Sequence, residues 1–204
     1  KLNPLKKNLI WSDEFYQGTN NLDNFSYRNL NNLVFKSKKL SKYKINNKIL
    51  FDGDIFLFND LKGNIIAYSI SKQKILYKFN FYKNKLKKKE KNLNLVLNGG
   101  VAYVSDNLGY LYAIDIKNAK LNWAKNFKKP FRSNIKIFNE NIVLTDINNL
   151  LYFVNKDNGD ILKKLPTEET SIKNRYVNNI AVNNNSIFYL NTYGSIYSIN
   201  SKKQ

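Results

Sequence analysis

The feature that most constrains the fold is a segment, Gly109–Trp123, which recurs along the chain in altered form. Its order is turn, strand, tight turn and strand. Related segments begin at Gly63, Asn149 and Gly194, so the repeat length is about 40–46 residues. A period of this length indicates a repeat protein in which each copy is one supersecondary unit and neighbouring copies cover one another's apolar faces.

Two further apolar runs precede each copy and predict two more strands in every unit. The first runs are Ile49–Phe51, Leu95–Leu97, Ile135–Phe138 and Ile180–Val182, and the second runs are Ile55–Phe58, Val101–Val104, Ile142–Leu144 and Ile187–Leu190. Joints that tolerate the positive φ of tight hairpins separate the two runs, at Asp52–Gly53, Asn98–Gly100, Asn139–Asn141 and Asn183–Asn185. Each unit is therefore predicted to be a four-stranded antiparallel meander.

Four-stranded units of this size predict a β-propeller, so we expect an all-β fold with about four to five blades in a partial ring. The predicted organisation is an N-terminal strand and variable polar segment over residues 1–44, then blades at approximately 45–82, 94–127 and 134–165, and an incomplete blade at 178–204. An open arc would leave sheet edges and apolar blade faces uncovered. We therefore expect the chain to be a fragment or to dimerise.

Recurring aromatic residues predict how the blades pack. Tyr112, Tyr152 and Tyr197 occupy one repeat position, where packing between blades is preferred over a stacking platform for nucleic acid. Trp123 and Tyr77 share a second position and are expected to cover the outer strand of their blades.

Cysteine and histidine are absent, and their absence excludes several kinds of catalytic and metal-binding site. Without cysteine there are no disulfides, thiolate metal sites or thiol nucleophiles, and without histidine there is no Ser-His-Asp triad. We expect a protein that is not an enzyme and holds no cofactor or metal, although carboxylate, lysine or tyrosine chemistry stays open. No apolar run approaches the roughly eighteen residues that a membrane helix needs. Because the chain starts at Lys1 without methionine, we expect a processed product.

The net charge of +19 has two interpretations. It could mark a surface for nucleic acid or an anionic membrane, or it could reflect the overall composition. All basic residues except Arg28, Arg132 and Arg175 are lysine, whereas a phosphate-binding surface more often uses arginine for its bidentate geometry. Composition is the preferred explanation, and nucleic acid is not an expected partner. The densest basic run, residues 83–91, is predicted to be a solvated loop.

The segment Gly109–Trp123 resembles the PQQ-type propeller repeat, whose pattern is roughly G-x-L-Y-A-L-D-x-x-T-G-x-x-x-W. The matching positions are Gly109, Leu111, Tyr112, Ala113, Ile114, Asp115 and Trp123, whereas Ala119 departs from the usual second glycine. One group with this repeat is the quinoprotein dehydrogenases, which bind pyrroloquinoline quinone and calcium through a central acidic cluster and typically carry adjacent cysteines. This chain has no cysteine, and its sequence shows neither such a cluster nor a calcium loop.

The chain also resembles the BamB-like outer-membrane assembly lipoproteins, which are non-catalytic propellers. An apolar start, Leu9–Trp11, precedes a variable polar stretch and then the repeats, and the loop Lys129–Ser133 is similar to the P-x-R-S-type loop of that family. The resemblance implies that Phe131 and Arg132 contact a partner protein, the barrel-forming subunit of the assembly machinery. It also implies a periplasmic scaffold at the outer membrane, held there by a lipid anchor that this chain lacks.

Alternatives stay open from the sequence alone. Arg132 could instead be a surface arginine that satisfies a loop carbonyl, although its rarity in this chain favours planar, bidentate bonding. The acidic joint Thr167–Ser171 could not be aligned with the aspartates of the family. The alternative functions are a basic propeller that binds polyanions and a fragment of a quinone-dependent dehydrogenase.

Overall fold

The structure is a computed structural model of the chain that describes residues 4–7, 10–26, 33, 35–46, 48–82, 86–170 and 177–200. The described residues form sixteen antiparallel strands in four sheets, so the prediction of an all-β propeller is confirmed. Among them, no helix is long and apolar enough to cross a membrane.

Each sheet is one blade, and the strands follow one another in chain order. Blade 1 contains β1 (Ile10–Trp11), β2 (Leu50–Asp52), β3 (Ile55–Asn59), β4 (Asn64–Ser69) and β5 (Lys74–Asn80). Blade 2 contains β6 (Leu93–Asn98), β7 (Val101–Asp106), β8 (Tyr110–Asp115) and β9 (Lys120–Asn126). Blade 3 contains β10 (Lys136–Phe138), β11 (Asn141–Thr145), β12 (Leu151–Asn155) and β13 (Ile161–Leu165). Blade 4 contains β14 (Asn179–Val182), β15 (Ser186–Leu190) and β16 (Ile196–Asn200).

Three of the four predicted hairpin joints contain the positive φ that was expected, and the joint Asn183–Asn185 does not. Positive φ angles occur at Gly53, at Gly99 and Gly100, and at Asn139 and Glu140. The hairpin between the last two strands of each of the first three blades also has one left-handed residue, which is Gln73 in blade 1, Ala119 in blade 2 and Gly159 in blade 3. The second glycine of the PQQ-type repeat is replaced here by Ala119, which has a φ of 54°. This left-handed conformation is strained for a residue with a Cβ atom.

Alternate residues of each strand face opposite neighbours, and this alternation builds the core. Tyr112 and Ile114 lie in the cluster between blades 1 and 2, whereas Leu111 and Ala113 lie in the cluster between blades 2 and 3. The same division continues into blade 4, where Tyr197 and the buried Tyr189 pack toward blade 3. The interior of the molecule is therefore three apolar layers between blades.

The recurring tyrosines pack between blades, as predicted. Tyr112 is fully buried and stacks on Phe81, with ring centroids 4.6 Å apart. Tyr152 meets Phe127 edge to face at 5.3 Å, and Tyr197 stacks on Tyr189 at 5.8 Å. These geometries are the ones that aromatic quadrupoles favour.

Trp123 does more than cover its own outer strand, because it reaches the next blade. Its indole Nε1–H donates to the carbonyl oxygen of Lys156 in blade 3 at 2.9 Å. Its ring lies against Gly159, where an added Cβ would come within 2.6 Å of Trp123 Cε3. Gly159 therefore serves both the hairpin and the contact between blades.

The two end blades differ in how their outer faces are covered. Phe58, Ile66 and Tyr68 on the far face of blade 1 are covered by Phe35 and Leu40, which precede the first repeat. On blade 4, three large apolar residues of the far face are exposed, namely Phe188, Leu190 and Ile196. This exposed face agrees with the expected partial ring, while the expected dimer or longer chain stays a prediction.

The N-terminal segment, residues 10–20, crosses the first strands of the blades, which lie next to one another. β1 pairs with β2 through Trp11 and Phe51, and Leu97 N–H of β6 donates to Ser12 O at 2.7 Å. Farther along, Val182 N–H of β14 donates to Gly18 O at 2.8 Å. The sequence predicted a strand here but not this crossing.

The N-terminal segment contacts blade 3 through a buried ion pair. Lys136 Nζ of β10 lies 2.8 Å from both carboxylate oxygens of Asp13 and 2.5 Å from Asn20 Oδ1. Burial is the largest influence on both groups: it lowers the pKa of Lys136 and raises the pKa of Asp13 against their mutual attraction. Each charge is thus tolerated in the interior only because the other is present.

Removing one partner of this pair should destabilise the protein strongly. Asp13→Ala leaves the Lys136 ammonium buried and uncompensated, so we expect a loss of about 3–5 kcal/mol in the free energy of unfolding, measured by urea denaturation. Lys125→Ala, which breaks the exposed pair with Asp160, is the control and should cost at most about 1 kcal/mol. Equal costs for the two variants would contradict the role given to Asp13.

The strained hairpin of blade 2 offers a stabilising change. Ala119→Gly should raise the free energy of unfolding by about 0.5–1 kcal/mol, because relief of the left-handed strain exceeds the added chain entropy. Ala124→Gly in the adjacent strand β9 should instead destabilise by about 0.5–1 kcal/mol. Thermal denaturation of both variants checks the sign, and destabilisation by Ala119→Gly would contradict it.

Candidate functional site

The connections between blades share one edge of the molecule, here called the loop face, with the turns β3–β4, β7–β8, β11–β12 and β15–β16. It contains the described residues of the connectors 81–92, 127–135 and 166–178 and the turns 60–63, 106–109, 146–149 and 191–194. Backbone hydrogen bonds join the two sets: Phe131 N–H donates to Asp106 O at 3.2 Å, and Ile147 N–H donates to Pro130 O at 3.0 Å. Loops held in this way on a rigid scaffold are common binding surfaces.

One side-chain arrangement closes the turn of every blade. Asp106 Oδ1 accepts from the backbone N–H groups of Leu108 and Tyr110, both at 2.8 Å. The same pair of bonds recurs at the three other turns, where the accepting residues are Asp60, Asp146 and Asn191. Such turns occur because Asp and Asn can accept from the backbone two residues on.

The other carboxylate oxygen of each turn aspartate binds a hydroxyl group. Tyr82 OH donates to Asp106 Oδ2 at 2.6 Å, Ser41 Oγ to Asp60 Oδ2 at 2.7 Å, and Tyr152 OH to Asp146 Oδ2 at 3.0 Å. Desolvation raises the pKa of Asp106 although its donors oppose this. Burial also raises the pKa of Tyr82, so its hydroxyl stays a donor.

Sequence reasoning missed this set, although a signal was present. Each acceptor lies three residues before the residue that begins the repeated segment: Asp60 before Gly63, Asp106 before Gly109, Asp146 before Asn149 and Asn191 before Gly194. The sequence analysis found no acidic cluster, whereas three of these aspartates share a single repeated turn position.

The structure places the two predicted partner-binding residues on the loop face between blades 2, 3 and 4, but mostly below its surface. Phe131 is 5% exposed and packs edge to face on Phe127 at 5.1 Å. Arg132 is 8% exposed, and its Nη1 donates to Thr192 Oγ1 of blade 4 at 2.9 Å. Contact of either residue with a partner stays a prediction, because so little of each side chain reaches the surface.

Arg132 belongs to a polar network that joins blades 3 and 4. Its backbone N–H donates to Thr145 O at 2.9 Å, and its carbonyl accepts from Asn178 N–H at 3.1 Å. Asn178 Nδ2 lies 2.8 Å from Asn149 Oδ1 and 3.0 Å from Tyr189 OH, and Thr192 Oγ1 binds the oxygens of both Asn149 and Asn178. A buried network that is satisfied in this way fixes the relative position of its loops.

Exposed residues border this network. Tyr193 is 50% exposed and follows Thr192, while Val177 is 63% exposed and precedes Asn178. Glu168 accepts from Asn191 Nδ2 and Ser195 Oγ, both at 2.8 Å, and these bonds lower its pKa. We call this surface, formed by Arg132, Glu168, Val177, Thr192 and Tyr193, the Arg132 patch.

The basic run, residues 83–91, was predicted to be a solvated loop, and the prediction fails at its C-terminal end. Residues 83–85 lie outside the described residues, and Lys87–Lys89 are exposed as expected for a solvated loop. Lys91 is different, because it is 1% exposed. The prediction was wrong there because the connector folds back onto the turn of blade 1, where Lys91 N–H donates to Leu61 O at 3.1 Å.

The described residues contain no group of three or more His, Cys, Asp or Glu side chains that could hold a metal ion. Among its described residues, the loop face offers fixed hydrogen-bonding groups, the guanidinium of Arg132 and the partly exposed ring of Tyr193. These groups suit recognition of another surface.

No known family profile matches the sequence, and no curated protein matches it. Among solved structures, the chain is similar to BamB from Moraxella catarrhalis, with 14% identity and a TM-score of 0.58 over 72% of this chain. The match covers 43% of that chain, so the matched part of this sequence spans less than half of the length of that BamB. The resemblance is one of fold.

Two computationally designed proteins are also similar in structure. The Ika4 protein matches with 10% identity and a TM-score of 0.64, over 80% of this chain and 95% of its own. The Ika8 protein matches with 10% identity and a TM-score of 0.61, over 76% of this chain and 45% of its own. These designed propellers and BamB agree on the architecture of the chain.

The turn aspartates should matter as hydrogen-bond acceptors more than as charges. Asp106→Ala frees two backbone N–H groups and Tyr82 OH, so we expect a loss of about 2–3 kcal/mol in the free energy of unfolding. Asp106→Asn should cost clearly less, because Asn191 closes the same turn with an amide oxygen. Urea denaturation compares them, with Asp115→Ala in an exposed turn as the control. Equal costs for the Ala and Asn variants would contradict this explanation.

Proposed function

We propose that the chain is a non-catalytic scaffold that binds a partner protein through the Arg132 patch. The observation that carries the proposal is the network in which Arg132, Asn178 and Thr192 lock the loops of blades 3 and 4 together beneath exposed Tyr193 and Val177. The described residues of these loops are already held by hydrogen bonds before binding, so their association loses less conformational entropy.

The composition of the patch supports a protein partner. Tyrosine and arginine are enriched among residues that contribute most to interfaces, and a tyrosine has few torsions to immobilise. Tyr193 is positioned by its backbone N–H bond to Asn191 Oδ1 and by its hydroxyl, 3.4 Å from Glu169 O. Arg132 donates to Thr192 Oγ1 beneath the patch, and the planar guanidinium is a group that matches carboxylates at interfaces.

The similarity in fold to BamB suggests where the proposed scaffold would act. The similarity to BamB concerns the fold, and the loop Lys129–Ser133 is similar to the P-x-R-S-type loop of BamB-like lipoproteins. We extend this to a role in the outer-membrane β-barrel assembly machinery on the periplasmic side, with the barrel-forming subunit as the partner. A lipid anchor outside this sequence would complete the role.

The proposal is tested by a binding titration of the purified chain against the purified barrel-forming subunit. Arg132→Glu and Tyr193→Ala should each weaken binding by about tenfold or more, which corresponds to about 1.4 kcal/mol. Lys163→Glu, an equal reversal of charge on the exposed strand β13, should leave binding within about twofold.

Circular dichroism shows whether each variant keeps its strands. Because Arg132 is mostly buried, Tyr193→Ala is the decisive variant if Arg132→Glu lowers stability. Unchanged affinity of a folded Tyr193→Ala variant would refute the patch as the binding surface, and no binding by the unaltered chain would refute this choice of partner.

A further inference from the structure

A cavity of about 630 Å³ opens on the loop face beside blade 1, away from the Arg132 patch, and four lysines line it. They are Lys62, Lys87, Lys88 and Lys91, and we call the site the lysine cavity. Its volume lies within the range of small-molecule sites. Among the described residues, none of the four forms an ion pair with a carboxylate. The cavity therefore concentrates positive charge that the described protein does not neutralise.

Lys91 is fixed at the wall of this cavity. Its side chain passes Gly63, where an added Cβ would lie 3.2 Å from Lys91 Cγ and 2.5 Å from the ring of Tyr82. Its Nζ lies 5.1 Å from the centre of the Tyr82 ring and 2.5 Å from the Leu86 carbonyl oxygen, to which it donates. An ammonium has three donors, so one backbone acceptor leaves capacity for a ligand.

Two buried aspartates near the cavity, Asp60 and Asp106, are already engaged. Asp60 binds Ser41 Oγ, the backbone N–H of Lys62 and the amide of Asn64. Asp106 is bound by Tyr82 OH and by its own turn. Desolvation and then repulsion by Lys62 lower the pKa of Lys91, and the attraction of Asp106 only partly opposes them.

The positive surface continues beyond the lysine cavity. A second cavity of about 430 Å³ shares Tyr43 and Asn64 with it and adds Lys39, Lys42 and Lys78. Tyr43 lies between the two, with Lys42 Nζ 5.4 Å and Lys62 Nζ 5.7 Å from its ring centre. A ligand that enters the first cavity therefore meets a continuous basic surface.

Lysines alone would be explained by composition, since they occur throughout this chain. The lysine cavity differs because a buried, fixed ammonium and three further lysines converge on one concave volume with no carboxylate among the described residues paired to them. We propose that the lysine cavity binds a ligand that carries two or more phosphate groups. Lysines bind phosphate oxygens as point charges, and a multivalent anion would neutralise several of them together.

The probe for this proposal is inorganic tripolyphosphate, titrated into the full chain by calorimetry at several salt concentrations. We expect binding whose affinity falls steeply as salt increases. The double variant Lys62→Gln/Lys91→Gln should reduce the affinity by tenfold or more. The matched control Lys117→Gln/Lys120→Gln removes the same charge from exposed positions of blade 2 and should change it by less than threefold.

Lys91 is buried, so Lys62→Gln/Lys87→Gln is a second variant that avoids the core and should lose affinity in the same way. Vesicles that contain cardiolipin, a lipid with two phosphate groups, distinguish the source of the phosphate, with phosphatidylcholine vesicles as the blank. Loss of tripolyphosphate binding in the cavity variants assigns a soluble ligand, and loss of vesicle binding alone assigns lipid headgroups.

The proposal is overturned if the unaltered chain binds neither probe. It is also overturned if the control variant loses as much affinity as the cavity variants, because binding would then follow net charge and not this cavity. The outcome is independent of the proposed scaffold function, since Arg132 and Tyr193 are unchanged in every variant.

Discussion

The arrangement of the blades depends on one buried ion pair, Lys136 with Asp13, whose members are 123 residues apart. The first strands of the blades come together along one side, where their free backbone edges would otherwise be open to pairing with other chains. The N-terminal segment supplies backbone partners to β2, β6 and β14 and a carboxylate to β10. It thereby links all four blades.

Between the blades, stability comes from layers that repeat with the chain. Each blade has apolar residues on both faces, so no blade could bury its core alone, and each is stabilised by its neighbours. The layers differ in one respect: the recurring tyrosine stacks on a connector residue, Phe81, in the first layer and on a residue of its own blade, Tyr189, in the third. A large ring therefore occupies the same repeat position in these layers, while the aromatic residue that it contacts differs from layer to layer.

The local pattern of the sequence was sufficient to predict the strands and the interblade tyrosines, because apolar alternation and turn residues determine a meander over short distances. Long-range contacts were not predictable in this way. Lys136 stands between Ile135 and Ile137 in an ordinary alternating strand, and its burial is explained by partners distant in sequence, Asp13 and Asn20. Lys91 was also mispredicted. Its neighbours in the sequence are basic, so the side chain was expected to be exposed to solvent, whereas the turn at Gly63 covers it. At the candidate site, the sequence indicated the loop of Arg132, but the network formed by Asn178 and Thr192 arises from two separate connections.

The fourth blade shows which property of the loop face is required. Where the other blades have an aspartate in the turn, blade 4 has Asn191, and Glu168 from the preceding connector supplies the carboxylate oxygen to its amide. The turn keeps the same two backbone hydrogen bonds despite the exchange. The turn of blade 4 keeps this geometry with a neutral Asn191, while the carboxylate belongs to the exposed Glu168. The turn therefore needs a hydrogen-bond acceptor at a fixed position and does not need a charge there. The exchange brings a carboxylate next to Tyr193 at the border of the Arg132 patch, so the same substitution that preserves the fold also changes the surface available to a partner.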